Sequence, residues 1–322
     1  MEQFLKHILF FLLFIILLAY PLDILISNHL NKSNYAWGEY STWNDLYNGQ
    51  INSEIVIYGS SRAWRHIDPE LLEKSFCLPT YNMGIDGHNF WLQYLRHKTL
   101  LKYNKNPKYI ILSIDIWSLA KNNELYNSNQ FLPYMLNNSD IIDFTSSYKG
   151  FTTLDYHLPL IRYFGNKRAV MQSIENTFFF PSHATKRKKG FQGADLVWND
   201  DLYNAKKNTE YYEAQLDPTL IELFENFLLE SKKFDIEVIL VYTPEYIDGQ
   251  KFVKNRKEIV TLFKKFSQKY DILFLDYSNA KICTKKEYFY NASHLNKTGA
   301  ELFTNILIKD LESTIEQNPI RK

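Results

Sequence analysis

Five short apolar runs, bounded by turn residues and separated by stretches of helical period, leave this chain few ways to fold. They are Glu54–Tyr58, Pro79–Met83, Tyr109–Ile114, Glu237–Tyr242 and Ile272–Leu275. Each is close to continuously apolar rather than alternating, which is the pattern of strands buried on both faces. Between and after them, Ala63–Phe76, Phe90–Lys102, Leu216–Phe234, Phe252–Tyr270 and Lys297–Glu316 read as helices. Strands alternating with helices predict an α/β fold with a central, mostly parallel five-stranded sheet covered on both sides. In such sheets chemistry collects beyond the carboxyl ends of the strands, where Ser60–Ser61, Gly84–Gly87 and Asp115 would meet.

Two segments stand outside that rhythm. Phe4–Ile26 is strongly apolar, with an uninterrupted run from Ile8 to Leu22. With its flanking apolar residues, and with Lys6 snorkelling, it is long enough for a bilayer core of roughly 30 Å. No small-residue cleavage pattern follows Ala19, so an uncleaved transmembrane helix is expected rather than a signal peptide. Lys6 before the run favours an inside N-terminus. The chain is then a single-pass membrane protein whose C-terminal domain is periplasmic or extracellular. The second segment, about 117–215, is too long for an ordinary crossover. It carries the basic run Lys186-Arg-Lys-Lys189 between Pro181 and the glycines Gly190 and Gly193, read either as a solvated loop or as a lid gripping an anionic or polysaccharide substrate. The expected organisation is an anchor over 1–27, a connector over 28–53 and one domain over 54–322.

Composition removes several function classes. Lys plus Arg number 37 against 36 Asp plus Glu, so no basic field exists to hold nucleic acid. Cys77 and Cys283 are the only cysteines, which excludes a disulfide scaffold and leaves one bridge open. No phosphate-binding glycine loop, dinucleotide fingerprint or His-Glu-x-x-His occurs, so neither cofactor nor metal is expected.

Three local patterns carry chemistry. Gly59-Ser60-Ser61-Arg62 follows a strand and precedes a helix, which exposes a serine hydroxyl beside helix N-terminal amides. Asn82 to Gly87 holds two glycines that allow close backbone approach. Tyr290-Asn-Ala-Ser-His294-Leu-Asn-Lys-Thr-Gly-Ala300 places a histidine just before the last helix.

In this order the three blocks resemble those of the SGNH (GDSL-type) hydrolase superfamily, over about Glu54 to Glu316. The resemblance implies a flavodoxin-like three-layer fold, Ser61 as nucleophile, Gly87 as an oxyanion-hole glycine and His294 as general base. It puts Asn291 where the family's triad aspartate stands, and Asp115 where its third block has an oxyanion-hole asparagine. An ionised Asp115 would repel an oxyanion unless protonated, paired with a cation such as Arg62, or turned away. Asn291 can orient the imidazole but cannot stabilise the imidazolium by charge, a change that costs a serine triad on the order of 10⁴ in turnover. Asp86 and Asp276, at strand ends, are candidate replacements for the missing acid. Membrane-anchored relatives with a Gly-Ser-Ser block imply an acyl esterase or O-acyltransferase acting on a cell-envelope glycan or lipid, with a membrane-bound O-acyltransferase as a partner. The alternative is a catalytically silent protein of the same fold that binds glycan or scaffolds such an assembly.

Overall fold

The computed structural model describes residues 1–31, 39–178 and 187–315. Pro181, Lys186 and the chain from Glu316 onward lie outside the described residues. In chain order the elements are α1 (Glu2–Leu30), α2 (Tyr40–Tyr47), β1 (Ile55–Gly59), α3 (Ser61–His66), α4 (Pro69–Phe76), β2 (Thr80–Asn82), α5 (Phe90–Tyr103) and β3 (Tyr109–Ile114). There follow α6 (Ser139–Thr145), α7 (Thr153–His157), α8 (Lys167–Phe178), α9 (Asp201–Asn208), α10 (Pro218–Lys233), β4 (Glu237–Tyr242), α11 (Ile247–Lys251), α12 (Arg256–Tyr270), β5 (Phe274–Asp276) and α13 (Lys297–Leu311). The chain forms two compact units, one of residues 1–44 with 123–186, the other of 45–122 with 187–322.

The larger unit is built on one sheet in the order β2-β1-β3-β4-β5, with every strand pair parallel. This is the flavodoxin-like order, and its switch point lies between β1 and β3. Alternate side chains of the strands enter opposite layers. On one face Ile55, Ile57, Ile111, Ile239 and Val241 pack with Leu72 and Phe76 of α4 and with Phe303, Leu307 and Leu311 of α13. On the other, Tyr58 meets Phe227, which joins a cluster of Phe90, Phe224 and Phe263 from α5, α10 and α12. Burying each such side chain is worth roughly 1.5–3 kcal/mol, so two apolar layers hold the sheet whose strand ends carry the site.

Several boundaries move from the sequence reading for local reasons. Ala63–Phe76 is two helices, because Pro69 disfavours helical geometry at Asp68. Asp68 then caps α4, its carboxylate accepting the Glu70 N–H at 2.9 Å. The helix expected from Leu216 begins at Pro218, with Asp217 as its cap. That expected from Phe252 begins at Arg256.

The smaller unit takes in α1 and the greater part of the long insertion. A buried ion pair fastens the insertion to α1. Arg162, 1% exposed, grips Asp23 of α1 through two hydrogen bonds of 2.6 and 2.7 Å, and Asp23 also accepts the Leu160 N–H at 2.7 Å. Ser27 meets the Tyr163 hydroxyl at 2.8 Å. The helix is apolar enough to cross a membrane, with mean hydropathy 2.7 over its most apolar window.

Candidate active site

The carboxyl end of β1 is shaped by backbone crowding. Gly59 has φ of +138°, and a Cβ there would come within 2.4 Å of the Ser113 carbonyl on β3. Only glycine permits that approach. Ser60 then caps α3, its hydroxyl accepting the Arg62 N–H at 3.3 Å and donating to Asp115 Oδ2 at 2.5 Å. Ser61 is the first residue of α3.

The Gly84 block is pressed onto that helix. A Cβ on Gly84 would lie 2.7 Å from the Trp64 N and 2.8 Å from the Ala63 Cβ. Asn82 ties the two segments, donating to the Ala63 and Ile67 carbonyls at 2.9 Å while its Oδ1 accepts the Gly84 N–H at 3.0 Å. Arg96, fully buried, donates to the Met83 and Gly84 carbonyls. Gly87, with φ of +72°, lies on the rim of the resulting cleft.

His294 arrives from the loop before α13. Leu295 donates its N–H to His66 Nε2 at 3.0 Å, and the other nitrogen of His66 meets the Thr243 hydroxyl at 3.1 Å. His66 is fully buried and is held neutral by that burial and by the Arg62 charge. As an acceptor at Nε2 it fixes the His294 segment in place. The continuation of the motif has its own steric reason, since a Cβ on Gly299 would meet the Tyr288 carbonyl at 2.2 Å.

Ser61 Oγ stands 2.8 Å from His294 Nε2. His294 Nδ1 lies 3.0 Å from Asn291 Oδ1, which also accepts the backbone N–H groups of Ser293 and His294 at 3.0 and 2.9 Å. Two backbone donors on that atom identify it as the amide oxygen, so Nδ1 of the imidazole carries the proton and Nε2 is free to accept from Ser61. The Asn291 Nδ2 in turn donates to Asp201 Oδ2 at 3.1 Å. Tyr290 stacks on the imidazole at 5.3 Å and 9°.

The electrostatics pull two ways. Burial first, then the charges of Arg62 and Arg65, push His294 down to about 3, and Asp201 pulls in the opposite direction. The cationic field that disfavours an imidazolium favours an oxyanion forming on a substrate at Ser61.

The structure therefore brings Ser61, His294 and Asn291 together and puts Gly87 and Asp115 on the same cleft of about 380 Å³. Asp115 is 2% exposed and takes three donors: the Ser60 hydroxyl, the Trp117 N–H at 2.7 Å and the Ser118 hydroxyl at 3.3 Å. Its two oxygens accept all three bonds, so Asp115 braces the Ser60 turn. Arg62 makes its direct ion pair with Glu245 at 2.9 Å and donates to Thr243, and the Asp115 charge also acts on it. Asp276 is not the missing acid, because it accepts the Ser278 N–H and faces Lys264 at 3.8 Å. Arg187 lies over the Trp64 ring, and Lys188 and Lys189 face Glu70 and Glu73. Cys77 and Cys283 are both free thiols.

Sequence reasoning missed Asp201, His66 and Tyr290. Asp201 opens α9 inside the insertion, and no spacing links it to Asn291. Among the described residues no cluster of His, Cys, Asp or Glu is placed to hold a metal ion.

No protein-family model matches the chain, and no curated protein sequence matches it either. Among solved structures it is similar to an acetyl xylan esterase, at 12% identity and a TM-score of 0.40, over 80% of this chain and 99% of that one. It is also similar to a GDSL-like lipase from Bacteroides thetaiotaomicron VPI-5482, at 12% identity and a TM-score of 0.34, over 80% and 87% of the two chains. Fold and cleft together define an α/β protein of flavodoxin-like topology with a hydrogen-bonded serine–histidine pair at its switch point.

Proposed function

We propose that this chain is a membrane-anchored, serine-dependent acyl esterase or O-acyltransferase of the SGNH type, acting on a cell-envelope glycan or lipid. One observation carries the reading: the 2.8 Å contact from Ser61 Oγ to a His294 Nε2 held in its acceptor tautomer at the mouth of a cleft. In this scheme the Ser61 oxygen bonds to the ester carbonyl carbon as its proton passes to His294 Nε2. The backbone N–H groups of Ser61 and Gly87, in the field of Arg62, hold the oxyanion. His294 then gives the proton to the departing alcohol as the ester C–O bond breaks, leaving an acyl-Ser61. Water or a sugar hydroxyl then bonds to the acyl carbon as its proton passes to His294, and the Ser61–acyl bond breaks as His294 returns that proton to the Ser61 oxygen. Trp117, 44% exposed and lining the cleft, offers a flat apolar face suited to a pyranose ring.

The second reading, a silent binder in a membrane acyltransferase assembly, is favoured by the weak basicity of His294 and by the acceptor at Asp115. Labelling the detergent-solubilised protein with a fluorophosphonate separates the two. Modification at Ser61 that is lost in His294→Ala supports the acyl chemistry. A folded protein that takes no label overturns it.

A further inference from the structure

The apolar stretch of α1 from Phe4 to Leu22 measures about 28 Å at 1.5 Å per residue, close to the thickness of a bilayer core. Asp23 marks its end, and Asp23 is where the chain of the smaller unit is fastened. The Leu160 N–H and the Arg162 guanidinium both bind its carboxylate, and Tyr163 reaches Ser27 one turn further on. Residues 160–163 are therefore held at the level where α1 would leave the hydrocarbon.

That segment turns apolar side chains outward. Phe164 is 91% exposed, Leu158 40% and Ile161 39%. Leu154 on the preceding α7 is exposed as well. Lys167 and Arg168, at the start of α8, are exposed directly after them. A water-facing surface gains nothing from a nearly bare phenylalanine beside a leucine and an isoleucine. A bilayer boundary accommodates such residues at the headgroup level, with neighbouring cations against lipid phosphates.

We propose that residues 158–164 form an interfacial membrane wedge. Phe164, Ile161 and Leu158 enter the boundary between headgroups and acyl chains beside α1, and Lys167 and Arg168 face anionic lipid. The buried Asp23–Arg162 pair makes helix and wedge one piece, so the smaller unit meets the membrane at a second point. The proposal rests on the reading of α1 as a membrane span.

The test uses the full chain with Cys77→Ser, carrying either Phe164→Cys or Leu17→Cys labelled with an environment-sensitive fluorophore. Each is reconstituted in phosphatidylcholine–phosphatidylglycerol vesicles containing a nitroxide high or deep in the acyl chains. The wedge predicts loss of most Phe164-site emission with the shallow nitroxide, little loss with aqueous iodide, and deep-nitroxide quenching at Leu17. Deep quenching at Leu17 with iodide-accessible emission at the Phe164 site overturns the wedge and leaves the span intact. Protection from iodide without lipid quenching also overturns it, because a protein surface then covers the segment. An unquenched Leu17 site removes the span and the wedge together.

Discussion

Asn291 faces His294 with its amide oxygen and Asp201 with its amide nitrogen, at 3.0 and 3.1 Å. A carboxylate accepting from the NH₂ group polarises the amide and increases the negative charge on the oxygen that orients the imidazole. The charge missing at position 291 is thus supplied from one residue further back.

Asp201→Asn is expected to lower ester turnover on the order of ten- to a hundredfold, less than the roughly 10⁴ lost when a directly bonded triad acid is neutralised. Asn291→Asp alone should gain little, because it sets two carboxylates side by side and one of them must bind a proton. The pair Asn291→Asp with Asp201→Asn should exceed both singles. Measuring kcat/KM for an activated acyl ester in all four proteins checks this, and simple additivity would refute the relay.

Arg65 lies over the Trp64 ring, donates to the Gln192 carbonyl at 3.2 Å, and its charge helps hold His294 at about 3. Arg65→Gln removes a positive charge that disfavours the imidazolium, so the histidine pKa rises. The acidic limb of the kcat/KM profile should move to higher pH, with activity at pH 5 falling relative to pH 8. An unmoved limb would mean that Arg65 does not act on the base.

His66 and His97 are buried as neutral rings, with burial lowering both and His97 reaching about 3. Their unfolded counterparts protonate near 6.5, so below that pH the unfolded chain binds more protons and stability falls until the folded-state values are reached. At pH 5 this costs about 2 kcal/mol per histidine relative to neutral pH. Urea unfolding at pH 7.5 and pH 5 measures it. Stability independent of pH across that window would contradict the neutral burial of both rings.

Arg162→Met should destabilise the smaller unit by roughly 3–5 kcal/mol, because it strands the buried Asp23 carboxylate. Replacing both partners with apolar residues of similar volume should restore most of that loss. Thermal unfolding of the protein in detergent reads the difference.

The sequence by itself determined the elements whose signal is local. β1, β3 and β4 are legible because their residues are buried on both sides and hence continuously apolar. Ser61, Asn291 and His294 are legible because the resemblance rests on short, contiguous motifs, which the backbone crowding at Gly59 and Gly299 explains. Tertiary structure decided what depends on residues far apart in the chain. Asp201 stands 90 positions from Asn291 and reaches it only because α9 folds back onto the loop before α13. Asp115 accepts from Ser60, while the Arg62 guanidinium pairs with Glu245 from the loop after β4. No local signal links Asp23 to Arg162, 139 positions away, and only the fold shows them bound. Apolar periodicity records which side chains leave water, whereas a buried charge or amide is assigned by whichever partner the packed chain brings within hydrogen-bond reach.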